Sequence, residues 1–142
     1  MTVALAPPTD QHAAVHALHR YVGDVAAALG VGLESCTVDQ DSPVSAYLAL
    51  DTRLPTHPHR DLALLWHEEH GWSAAIETHS GEDLLVVDHL GGPDVLPPPH
   101  RVARFVQDLR TAGPRRTEPP RLRTRGTHAD LARLLHRYAE VA

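Results

Sequence analysis

Residues 61–92 read DLALLWHEEHGWSAAIETHSGEDLLVVDHLGG, three apolar segments separated by two polar turns. The segments at 62–66, 72–76 and 84–87 are too short for buried helices, and each break carries a glycine, Gly71 or Gly81, of the kind a tight hairpin needs. The spacing therefore predicts three consecutive antiparallel strands. Because successive strand side chains alternate between faces, Leu62, Leu64 and Trp66 share one side with Trp72, Ala74 and Ile76 of the next strand. Two tryptophans flanking a short turn can pack across the pair and fix its register. The opposite side carries Ala63, Leu65 and Ala75, none of them polar, so a helix or a second copy of the chain is expected to cover it.

The rest of the chain must complete this sheet. A length of 142 residues, 42% of them hydrophobic, suits one domain. There is no run of 18 apolar residues and no signal-like leader, which points to the cytoplasm and away from a membrane. The single cysteine, Cys36, has no internal partner and fits a reducing compartment. Charge is divided along the chain: residues 1–100 hold three Arg against fourteen acids, net −11, and residues 101–142 hold ten Arg against four acids, net +6. An acidic body followed by a basic tail predicts docking of one on the other, within or between chains, or a tail offered to an acidic partner.

Residues 1–8 read as disordered. Val15, Leu18, Val22, Val25 and Leu29 then recur at helical spacing, with Gly30 placed to end the helix. A weak edge strand at 35–41 and a better one at 44–51, with Val44, Ala46, Leu48 and Leu50 on one face and Tyr47 on the other, bring the meander to four or five strands. After Pro97-Pro98-Pro99, a second helix carries the stripe Val102, Phe105, Val106 and Leu109 and stops at Gly113-Pro114. Residues 114–126, PRRTEPPRLRTRG, form a linker or arm whose one aliphatic side chain is Leu122. A capping box at 127–130 opens a third helix with Leu131, Leu134, Leu135 and Tyr138 on one stripe. The expected organisation is an α+β domain over residues 9–113, then the arm, then a helix at 127–142 that must find a surface on its own sheet or on a partner.

Chemistry is sparse. The meander groups His57 and His59 with His79 and Glu82 at one end of the sheet, and His67, Glu68, Glu69 and His70 with Asp88 and His89 at the other. Adjacent strands lie about 4.8 Å apart, so either group could converge on one ion. The competing reading is a set of solvated turn histidines, since His67 and His70 are three residues apart in a turn rather than on one face of a helix. His12, His16 and His19 on the first helix pose the same choice. Protonating all twelve histidines would move the formal charge from −5 to +7, so solubility is expected to depend on pH. No nucleophile elbow, phosphate-cradling loop or dinucleotide fingerprint is present, and no cofactor is implied. Arg115, Arg116, Arg121, Arg123 and Arg125 of the arm could contact nucleic-acid phosphates, although the arm has no aromatic side chain for base stacking.

The run HRDLALLWHEEHGWSAAIETHSGEDLLVVDHLGGPDVLPPPHRVARFV, with the helix ALHRYVGDVAAALG, looks like a small family of uncharacterised actinobacterial domains of unknown function. The resemblance covers about residues 15 to 110 and rests on Trp-x-x-Glu-His-Gly-Trp, the Gly81-Glu82-Asp83 turn and Leu96-Pro97-Pro98-Pro99. It implies no activity. In shape alone, the order of helix, meander and helix is similar to that of the dimeric type III secretion chaperones. The resulting expectation is a homodimeric, non-enzymatic protein-binding module, of adaptor, chaperone-like or regulatory kind. Its candidate contacts are Leu65, Trp66, Trp72, Leu131, Leu134, Leu135 and Tyr138, with core packing the alternative for the tryptophans. Nucleic-acid binding through the arm is the second expectation, and a histidine-based metal protein or enzyme the third.

Overall fold

The computed structural model describes residues 10–41, 43–78, 83–115, 118–123 and 128–141, with the side chains of 10–13, 128–129 and 140–141 left aside. The expected disordered start, His79 with its turn, Arg116, Arg125 and the capping residue Thr127 lie outside the described residues. Helix α1 (Asp10–Leu29) leads through a short 3-10 turn into β1 (Cys36–Asp39), β2 (Ser45–Ala49), β3 (Leu62–His67), β4 (Gly71–Glu77) and β5 (Leu84–His89). Helices α2 (Pro99–Ala112) and α3 (His128–Val141) follow. The strands pair in chain order, all antiparallel, so the α+β meander has five strands.

Register follows from the alternation. Ala46, Leu48, Leu64, Trp66, Trp72, Ala74 and Ile76 turn to one side and form a single core with α1 and α2. Trp66 and Trp72 are direct cross-strand partners. Near the end of β5 the register shifts between Ala74 and Ala75, leaving Val87 as the extra residue, so Asp88 stands beside Ala74 and Val86 beside Ala75.

On α1 the buried positions are Ala14, Leu18, Tyr21, Val22, Val25 and Ala26, while Val15 and Leu29 are half-buried. The helix is thus turned toward Tyr21, because it packs on the sheet and α2 from one side and on α3 from the other. The stripe read on α2 is buried as expected: Val102, Phe105, Val106 and Leu109. Its N-terminus starts at Pro99, whose missing N–H leaves nothing unsatisfied.

Two expectations are corrected by the packing. Helix α3 finds its surface not on the sheet but on α1. There Leu131 and Leu135 are buried, the Tyr138 ring meets Tyr21 edge to face at 4.8 Å, and its hydroxyl donates to Asp24 at 3.1 Å. On the far side of the sheet no described helix covers Ala63 and Ala75, yet both are fully buried. The reason is Tyr47, whose hydroxyl donates to the Glu77 carboxylate two strands away, so the phenol crosses β3 above the small side chains.

Candidate functional site

The turn between β3 and β4 is where the acidic body meets the basic arm. Gly71 has φ +72°, the left-handed backbone that closes this hairpin and that a side chain would strain. Before it, the Glu68 side chain points inward and is almost fully buried. The Glu68 N–H donates to the Val44 carbonyl at 3.0 Å, and Val44 N–H donates back to Glu68 Oε1 at 2.9 Å. The second carboxylate oxygen takes the Arg123 guanidinium at 3.4 Å. Next to it, the Glu69 carbonyl accepts the N–H of Leu122 at 2.8 Å and of Arg123 at 3.3 Å. His70 Nδ1 lies 2.8 Å from the Pro120 carbonyl, which can only accept, so this nitrogen carries the proton.

The other buried acid holds the start of the arm. Asp88 Oδ1 accepts His89 N–H at 2.8 Å, and Oδ2 accepts Arg115 N–H at 3.0 Å. Asp88 and Glu68 are the two buried charged residues among those described, and each receives one end of the segment from Arg115 to Arg123. Burying a carboxylate is costly unless hydrogen-bond donors surround it, and backbone N–H groups and arginines supply them here. The charge division along the chain is therefore met by docking within the chain.

The tryptophans take the core-packing role, the alternative to partner contact in the sequence. Trp66 Nε1 donates to the Val95 carbonyl at 2.7 Å. Trp72 Nε1 donates to Tyr21 Oη at 3.0 Å, and that hydroxyl donates on to Pro97 O at 2.5 Å. Burial pushes the Tyr21 hydroxyl pKa upward despite the Trp72 bond. Both indoles thus pin the 95–97 segment that leads into α2. Trp66, Trp72, Leu131 and Leu135 are core residues with no surface left for a partner, whereas Leu65, Leu134 and Tyr138 remain half-buried.

On the outer face of the sheet a cleft of about 450 Å³ runs between Tyr47, Leu65, His67, Ser73, Leu84 and His89, with Pro119 of the arm as one wall. Tyr47 is pushed up to about 12 by burial first, then by the Glu77 carboxylate and the nearby Asp61. A second groove, about 670 Å³, lies between 94–100 and α3 and includes Leu134 and Tyr138.

Of the histidines, His67 and His70 come together and His89 shares their cleft. His67, Glu69 and His70 offer ligand atoms within 4.8 Å of one another, and among the described residues this is the group with metal-like spacing. The two rings stack at 4.6 Å and 29°, and His67 Nδ1 accepts the Glu69 N–H at 3.0 Å. Nearly parallel rings send their lone pairs side by side, so convergence on one ion would need a ring to turn. His57 and His59 enter no such group among the described residues, and His57 Nδ1 meets Thr56 Oγ1 at 2.9 Å. The Cys36 thiol is pushed up by burial and by Glu34, opposite to the lowered pKa of an activated nucleophile.

Residues 21–108 match a family of unknown function, DUF6292. The chain belongs to this family. No curated protein and no solved structure matches it. The DUF6292 span contains α1 from Tyr21, the whole sheet and most of α2, and it stops before the arm and α3.

The burial of two acids of this site was not expected from the sequence. Glu68 and Asp88 group with the histidines as possible ion ligands in the sequence, although Glu68 stands between two tryptophans. Leu122, alone among arginines and prolines, was a legible anchor. Leu85 and Val86 belong to an unbroken apolar run at 84–87 that a sheet with one covered face cannot hide entirely.

Proposed function

We propose that this DUF6292 member is a non-enzymatic, homodimeric protein-binding module, of adaptor or regulatory kind, whose copies join through β5. The observation that carries this reading is the contrast between the two edges of the sheet. Strand β1 has four residues, alternates half-buried with exposed positions and ends in Asp39. Strand β5 has six, and its exposed edge presents Leu85 at 51% and Val86 at 43% accessibility with no charge from 84 to 87. No described strand lies beyond it. An uncharged edge strand is a template for another strand, and a second β5 is self-complementary about a two-fold axis. With the axis at Val86, that residue stands opposite its own copy, and two five-stranded sheets become one.

The cytoplasmic setting belongs to the same proposal, supported by one unpaired thiol and by the absence among the described residues of a helix long and apolar enough to cross a membrane. The nucleic-acid reading has less support, because the Arg123 guanidinium is committed to Glu68. Amide hydrogen exchange along residues 84–87 tests the proposal. Protection should fall as the protein is diluted, while that of β3 stays constant. Equal rates at all concentrations would sink it.

A further inference from the structure

We propose that the turn at 68–71 is a peptide-docking site for an extended Pro-x-Leu-Arg segment of another protein, and that this chain's own residues 120–123 occupy it as a stand-in. Four features of the site each read one feature of the segment. The His70 imidazole donates to the carbonyl of Pro120, a residue whose fixed φ holds the segment extended. The Glu69 carbonyl takes two consecutive N–H groups, those of Leu122 and Arg123. The notch left by Gly71 takes the leucine: a Cβ built on Gly71 would stand 3.0 Å from Leu122 Cδ1, with the Val95 backbone 3.8 Å away. The buried Glu68 carboxylate takes the final guanidinium. Arg121 is exposed and fills the unread position.

The receptor and its occupant fall on opposite sides of the family boundary. Glu68, Glu69, His70 and Gly71 lie within the DUF6292 span of 21–108, whereas the segment that satisfies them lies at 120–123, outside it. The acceptors and the notch thus lie inside the matched span, and the segment that fills them lies beyond it. Charge points the same way, since the net −11 of residues 1–100 favours a basic segment whichever chain supplies it. A tethered arm competes at an effective concentration of about millimolar, so an outside segment binds well only once the arm is withdrawn.

The test uses the full chain carrying Leu122→Ala and Arg123→Gln, and a fluorescent synthetic peptide copying residues 118–123. Anisotropy should show the variant binding this peptide at least about tenfold more tightly than the unaltered chain does. Adding Glu68→Gln, or replacing the last arginine of the peptide by glutamate, should lose about tenfold, the value of one charge-assisted contact. Near-UV circular dichroism of Trp66 and Trp72 shows whether the variant is folded; if it is not, Arg123→Gln alone should give the same order with a smaller gap. A folded variant that binds no better than the unaltered chain, or that binds a reversed-sequence peptide equally well, overturns the proposal. Measurement in a Val86→Lys background keeps the result independent of β5 pairing. In that background, a concentration-dependent dimer abolished by Glu68→Gln would assign the site to a second copy's arm and overturn the separate partner.

Discussion

The sheet has two places open to another chain, its β3–β4 end and its β5 edge, and they are treated in opposite ways. At the β3–β4 end, Arg115 and residues 120–123 are held by two buried carboxylates, a histidine and a backbone carbonyl. Along β5 nothing described is laid down, and Leu85 and Val86 stay exposed. The covered end is polar and specific; the open edge is apolar and repetitive. The difference teaches that a charged end is satisfied by a segment of its own chain, while the edge without charge stays open.

The largest expected effect breaks the covered end. Glu68→Ala leaves Val44 N–H and the Arg123 guanidinium without their acceptor, and urea denaturation should show a loss of about 3 kcal/mol, as for other buried pairs cut on one side. Leu122→Ala comes next. It removes the side chain seated on Gly71 and should cost about 1–2 kcal/mol, with faster amide exchange at Leu122 and Arg123 than at any β3 residue. A loss under about 0.5 kcal/mol would mean that the arm only rests on the turn.

Much of this architecture was legible, and the reasons are particular. Alternation at 62–66 and 72–76 shows the core side because the tryptophans share one face with the larger aliphatic side chains while the other holds mainly small ones, and Trp66 opposite Trp72 follows from it. The stripe of α2 was equally plain. Tyr21 was missed on α1 because its ring sits where three partners meet, Trp72, Tyr138 and the Pro97 carbonyl, and none of them is near in sequence. The burial of Glu68 and Asp88 was hidden for a similar reason. Whether an acid at this end of the sheet is buried depends on what crosses it, and here that is a segment up to 55 residues away.

Alkaline titration sharpens the comparison on the outer face and at α3. Tyr47 and Tyr138 are both pushed up to about 12, Tyr138 by burial first and then by Asp24. A folded pKa above the unfolded value of about 10 keeps the proton on the folded form, so stability is unaffected below pH 10 and falls as pH rises through 12. Tyr47→Phe should flatten part of that fall, measured by thermal unfolding between pH 9 and 12, while Glu68→Gln should leave its slope unchanged. The smallest effect on stability belongs to the open edge. Val86→Lys should change the unfolding free energy of the single chain, measured at concentrations low enough to dissociate any dimer, by no more than about 0.5 kcal/mol, because the side chain is exposed there.

That same substitution decides the association. Light scattering coupled to size exclusion compares the unaltered chain with Val86→Lys, and with Leu33→Lys as a control at another exposed apolar residue, 67% accessible and away from β5. The account expects twice the 15.5 kDa chain mass for the unaltered protein and for Leu33→Lys, and the single-chain mass for Val86→Lys. A single-chain mass for all three, or a dimer that survives Val86→Lys, would contradict it.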